Sequence, residues 1–232
     1  MGNWPHQLSL NVSLETPASF DNFVAGNNQA LVSQVMWALE QQGFQLIYCW
    51  GGEDSGKTHL LQAAWHWVRG QGGEACYFDL SRPGLTSQML DAQDSAELVC
   101  LDNLHHLTDS SDDQEAVFHL FNRLQLRQSK LLVAASQPPQ ALKNMLADLT
   151  SRLAWGLTYP LTRLDDEQKI QALQLRAQQK GILLPDEVAR FVMHRSPRRL
   201  SVLFSLLDQM DQWSLNEHRK LTIPFVRERL KW

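Results

Sequence analysis

Residues 46–60 run Leu-Ile-Tyr-Cys-Trp-Gly-Gly-Glu-Asp-Ser-Gly-Lys-Thr-His-Leu: a short apolar run, a glycine-framed loop, then the start of a segment patterned as a helix. Gly51, Gly56, Lys57 and Thr58 complete G-x-x-x-x-G-K-[ST], a phosphate-binding loop. Glycines let the backbone turn sharply and approach an anion closely. Successive N–H groups at a helix N-terminus then face the phosphates, and the helix dipole adds to the field. The candidate cradle is therefore the backbone of Gly51, Gly52, Glu53, Asp54, Ser55, Gly56, Lys57, Thr58 and His59. Lys57 is expected to reach the β- and γ-phosphates, and the Thr58 hydroxyl to ligate Mg²⁺. Average residue usage yields this pattern by chance in about one chain in a hundred of this length, and the strand-then-helix context lowers that further.

Around this stretch lie 232 residues, 44% of them hydrophobic, enough for one large domain or a domain with a small companion. No apolar run approaches the ~20 residues that span a bilayer, and the first residues lack the basic region and apolar core of a secretory leader. A cytoplasmic protein without a membrane partner is expected. The three cysteines, Cys49, Cys76 and Cys100, fall in apolar strand-like runs without metal-ligand spacing, which suits reduced buried thiols. With 21 Lys and Arg against 25 Asp and Glu, the net charge is −4, so direct DNA binding finds no support in overall charge.

The pattern along the chain predicts alternating helices and strands. Helices are expected over 28–41, 57–69, 85–90 and 112–128, and strands over 46–50, 75–80, 97–102, 131–135 and 157–159. That alternation implies a five-stranded parallel sheet between helices, an α/β architecture. After Pro160 the strands stop, and helices over 165–180, 185–194, 198–212 and 223–230 make a small all-α unit. The expected organisation is a tail at 1–13, a nucleotide-binding base at 14–162 and a helical lid at 163–232.

Several residues are candidates for chemistry, each with an ordinary alternative. Asp102 ends an apolar strand about 45 residues after Lys57, where a carboxylate can hold the water shell of Mg²⁺; many strands end in Asp. The next residue is Asn103, and an amide is a poor proton acceptor, so autonomous hydrolysis should be slow. Ser136 follows the fourth strand, where a polar side chain can sense a γ-phosphate; a turn serine before Pro138-Pro139 explains it as well. Arg152 precedes the last strand, where a surface ion pair is an arginine's usual fate. Arg198 and Arg199 open a lid helix after Ser196-Pro197, where an arginine could fold back on a nucleotide, against simple solvation of a helix start. In the first residues, Gln7-Leu8-Ser9-Leu10-Asn11-Val12 reads as a frayed tail or as a docking peptide, with Gln7 hydrogen-bonding and Leu8, Leu10 and Val12 filling apolar pockets.

Taken together, the phosphate loop, the strand-end Asp102, the polar Ser136, Arg152 and the lid arginine resemble the AAA+ ATPases. More narrowly, the chain is similar to the nucleotide-binding region of the bacterial replication initiator DnaA over most of residues 18–210. The matching stretches are Phe20-Asp21-Asn22-Phe23-Val24 with Gly26-Asn27, the phosphate loop, Phe118-His119-Leu120-Phe121-Asn122, Ser151-Arg152-Leu153-Ala154-Trp155-Gly156-Leu157-Thr158 and Leu183-Leu184-Pro185-Asp186-Glu187-Val188-Ala189. Two departures point away from the initiator and towards the DnaA-related regulators that inactivate it. The chain ends soon after the lid, so no helix-turn-helix DNA-binding domain is expected, and residues 7–12 look like a sliding-clamp-binding peptide.

The resemblance implies a role. ADP, with Mg²⁺ compatible, would sit in the chain's own site, touched by Phe23, Val24, Asp102, Ser136 and Arg198 besides the loop. Gln7, Leu8, Leu10 and Val12 would tether the chain to the DNA polymerase III β sliding clamp, and so indirectly to DNA at the nucleoid. Arg152 would act in trans on ATP held by DnaA, with Phe121 and Asn122 at that interface, and stimulated hydrolysis would prevent re-initiation of replication. An arginine serving a partner should point away from its own cleft and lack an acidic neighbour. A homo-oligomer is compatible with the resemblance. The chain is then a regulator rather than an enzyme in its own right, with weak intrinsic ATPase activity compatible. The rival reading is a self-contained AAA+ ATPase of the helicase-loader or clamp-loader type, which appreciable turnover by the protein alone would favour.

Overall fold

The computed structural model describes residues 17–82 and 95–232. The tail at 1–13 and the helix expected over 85–90 lie outside the described residues. Five strands, β1 (Gln45–Trp50), β2 (Ala75–Asp79), β3 (Leu98–Asp102), β4 (Lys130–Ala135) and β5 (Leu157–Pro160), form one parallel sheet in the order β2-β3-β4-β1-β5. The central strands are continuous apolar runs because both faces are covered. From β1, Leu46 and Tyr48 point to one side, against α3 (Ser111–Arg127) and α4 (Ala147–Leu153). Ile47 and Cys49 point to the other, against α1 (Gln29–Glu40) and α2 (Lys57–Gly70). A third core joins α5 (Asp166–Gln179), α6 (Asp186–Arg195), α7 (Leu200–Glu217) and α8 (Ile223–Leu230), through Leu173, Val188, Val192, Leu203, Leu207 and Phe225.

Local chemistry sets the ends of these elements. At α5 the Asp165 carboxylate accepts from the Gln168 backbone N–H while the Gln168 side chain accepts from the Asp165 N–H, a reciprocal cap. The Ser110 hydroxyl caps α3, whose first turn carries Asp112 and Asp113 and whose last turn carries Arg127, in keeping with the helix dipole. Asn28, at the start of α1, does not cap that helix. Its buried side chain crosses to Thr162, donating to the carbonyl and accepting from the Thr162 N–H and hydroxyl at 2.8–2.9 Å. That bracket fastens the start of α1 to the chain just after β5. The helix α4 before β5 and the 3₁₀ turn Leu104–Asp109 are additions to the predicted set, and α7 starts two residues later and ends five later than its predicted span of 198–212.

Candidate functional site

The phosphate loop leaves the C-terminal end of β1 and enters α2 at Lys57. Gly56 takes φ of 94°, a conformation open to glycine, and the Phe23 ring lies 3.1 Å from where a Cβ would project. A Cβ on Gly51 would fall 2.3 Å from the Leu161 carbonyl, so close backbone approach demands glycine there too. The Lys57 ammonium curls over the loop and donates to the carbonyls of Gly51 at 2.7 Å and Gly52 at 2.8 Å. Burial pushes it below its ordinary range, the nearby Arg163 guanidinium adds to that, and Asp102 opposes it. Ser55 is buried and its hydroxyl donates to the Gly52 carbonyl, bracing the turn from within.

Asp102 is fully buried at the end of β3. Its Oδ2 accepts from the Thr58 hydroxyl at 2.6 Å and from the Tyr77 hydroxyl of β2 at 2.8 Å, and its Oδ1 accepts from the Asn103 N–H at 2.8 Å. Burial, then the charge of Asp102 and the hydrogen bond to it, drive the Tyr77 phenol far above its ordinary range, so it remains a donor. Asn103 sits in the left-handed region at φ of 58°, and its amide donates to Asp79 at 2.9 Å. An all-oxygen pair, the Thr58 hydroxyl with the Asp102 carboxylate, suits a hard cation that keeps part of its water shell, so these residues fit Mg²⁺. Among the described residues no cluster of three or more His, Cys, Asp or Glu could hold a metal without a ligand's help.

Other predicted residues fall around this centre. His59 stacks edge-on to Phe23, and its Nε2 faces Asn22 Oδ1 at 2.7 Å and the Ser19 carbonyl at 3.2 Å; two acceptors require Nε2 to carry the hydrogen. Val24 and Ser136 are half-buried, the first beside Phe23 and the second just past β4. Arg198 is turned to Asp166 at 2.6 Å. Its neighbour Arg199 instead reaches the phosphate loop, at 3.1 Å from Glu53 and 2.9 Å from Asp54, and Arg163 donates to the Glu53 carbonyl at 2.8 Å. Of the two lid arginines read from the sequence it is thus Arg199 that meets the loop, whereas sequence reasoning missed Tyr77 and Arg163, since their contacts join distant segments and no spacing advertises them. A cleft of about 130 Å³, lined by Asn22, His59, Gln62, Gln179 and Phe204 among others, opens between α2 and the helices α5 and α7.

Arg152 stands elsewhere. It lies in the last turn of α4, on the sheet face opposite α2. Its guanidinium rests 4.4 Å over the Trp155 ring, with Phe121 at 5.7 Å and Phe118 at 6.0 Å. Gly156, next to Trp155, abuts Leu46 near the start of β1, whereas the phosphate loop leaves its other end. Among the described residues no carboxylate stands within ion-pair distance of Arg152. Phe121 corrects an expectation: it is fully buried, packed against Phe44 and Trp155, and supports that surface from beneath instead of meeting a partner. Asn122 is half-buried beside it.

A phosphate loop on the strand between β4 and β5, an aspartate ending β3 and a helical lid define an AAA+ nucleotide-binding module. A family model described as the bacterial DnaA ATPase domain matches residues 14–160, and one described as the Hda lid domain matches residues 166–230. The chain belongs to the Hda family of DnaA-related AAA+ proteins. Among solved structures it is similar to domain III of the Thermotoga maritima replication initiation protein DnaA, with a TM-score of 0.78 and 21% identity over 94% of this chain and 98% of that one. AMPPCP-bound DnaA from Aquifex aeolicus gives 0.72 and 23% over 86% and 67%. The Thermotoga maritima RuvB Holliday junction branch migration motor gives 0.71 and 16% over 93% and 72%. At these identities the likeness is one of fold.

Proposed function

We propose that this protein is a regulator that holds ADP in its own phosphate loop, docks through residues 7–12 on the DNA-loaded β sliding clamp, and stimulates hydrolysis of ATP bound to DnaA by supplying Arg152 in trans. The observation that carries this reading is the state of Arg152. A planar guanidinium with five donors stacks on an exposed tryptophan, unquenched by a carboxylate and remote from the chain's own loop. Such a group is available to charge developing on a partner's transferring phosphoryl, a contribution of about 10³–10⁵ in rate. The own site supports a binding role: Asn103 replaces an acid where water would be activated, and its amide is engaged by Asp79. We read the cleft beside His59 as room for the nucleobase, with Mg²⁺ on Thr58 and Asp102 lending Lewis-acid charge to the phosphates when bound.

The test is release of phosphate from ATP-loaded DnaA with this protein, clamp and DNA, and with each omitted. Arg152→Ala should retain ADP and clamp binding and lose stimulation by about 10³-fold or more. Arg152→Lys should recover only part, because a point charge lacks the planar fork. An alanine variant that stimulates normally would dismiss the trans-acting arginine. Fast turnover by the protein alone would favour the self-contained ATPase.

A further inference from the structure

The hydrogen-bond inventory of Asp102 reaches beyond the residues a phosphate-loop motif names. An ionised carboxylate offers about four lone-pair sites. Here Thr58 and Tyr77 occupy both on Oδ2, and the Asn103 N–H takes one on Oδ1. Oδ2 is the oxygen facing Thr58, the residue that would touch the metal. About one acceptor site is left for water carried by a cation, and it is on the other oxygen. Tyr77 is not free to swing aside. It lies within β2, paired in register with Cys100 of β3, and its ring packs into the core shared with α2.

From this geometry we infer that Tyr77 is a positioning residue that restricts the hold of Asp102 on magnesium-borne water, making nucleotide affinity only weakly dependent on the metal. The phenol donates to the carboxylate whether or not a cation is present. It thereby spreads the negative charge and fills a site that metal-bound water would otherwise use. The loop N–H groups and Lys57 then carry most of the affinity for phosphate, and the metal adds little. The inference rests on the nucleotide-binding reading and concerns its metal dependence.

The experiment is calorimetric titration of ADP into the full chain, in MgCl₂ and in EDTA, for wild type and Tyr77→Phe, with a melting curve for each. The phenylalanine variant keeps the ring and removes one oxygen. Expected is a small magnesium effect in wild type and one about three- to tenfold larger in the variant, the scale of one freed hydrogen-bond site, with the EDTA affinity unchanged. A magnesium effect equal to or below that of wild type would overturn the inference, because a merely supporting tyrosine would lose metal affinity on truncation. Wild type that fails to bind ADP in either buffer would overturn the nucleotide reading, and this inference with it. Should Tyr77→Phe not fold, Tyr77→Leu serves the same comparison.

Discussion

Asn103 holds two unusual conditions at once: a left-handed backbone and a side chain spent on the neighbouring strand's carboxylate. Asparagine tolerates that backbone better than most residues, through its short polar side chain. Burial would raise the Asp79 carboxyl, but hydrogen bonds from Ser81, Asn103 and Arg82 outweigh it and hold that group below its ordinary value. Asn103→Glu would therefore set one carboxylate against another on a backbone that glutamate resists. The expected cost is about 1–3 kcal/mol of stability, without fast ATP turnover. Asp79→Asn in that background should recover part of the loss. Thermal denaturation of the four-member cycle, alongside a phosphate-release assay, measures both, and a single variant as stable as wild type would show that the Asp79–Asn103 contact carries no weight. Cys49 and Cys100 are inert by the same logic of surroundings, since burial pushes the Cys49 thiol up to about 12 and Cys100 well above its usual range.

At the scale of elements, the lid's first helix depends on its reciprocal cap. Asp165→Ala leaves N-terminal N–H groups of α5 without an acceptor and should cost about 1 kcal/mol. A melting temperature unchanged within error would show that packing against α6 and α7 alone holds that helix. The sheet strands were legible in the sequence, because an apolar run between turn residues has few alternatives. Helix α4 was not: seven residues are too short for a period to emerge, and what holds them is Leu149 and Leu153 entering the α3 core. Asn28 at the start of α1 spends its side chain on Thr162, 134 positions away, a pairing no local spacing announces. The loop and Asp102 could be read from spacing. Tyr77 and Arg163 could not, because only the fold brings β2 and the segment after β5 to one loop.

Across the whole molecule, His59 ties base to lid. Its ring binds Asn22, whose amide donates to Gln179 of α5 at 3.3 Å. Burial first, and the nearby Arg176 charge with it, lower the His59 pKa against a weaker opposing bond to the Ser19 carbonyl. The unfolded chain then takes up the proton first. Stability is full above about pH 6.5 and falls as the pH drops through the window between that value and the lower native pKa. Burial lowers His66 and His105 as well, so His59→Gln should flatten the slope of melting temperature against pH between about 6.5 and 5 only in part. An unaltered slope would remove His59 from the account. The seam at Gly51 has a further consequence. The Leu161 N–H donates to Trp50, its carbonyl presses on Gly51, and Thr162 is gripped by Asn28. Any swing of the lid must then pivot beyond Thr162, about Arg163 and Leu164. A two-residue axle mounted against the phosphate loop turns a small shift at the anion into a wide arc at the far end of α7, as a short crank does for a long arm.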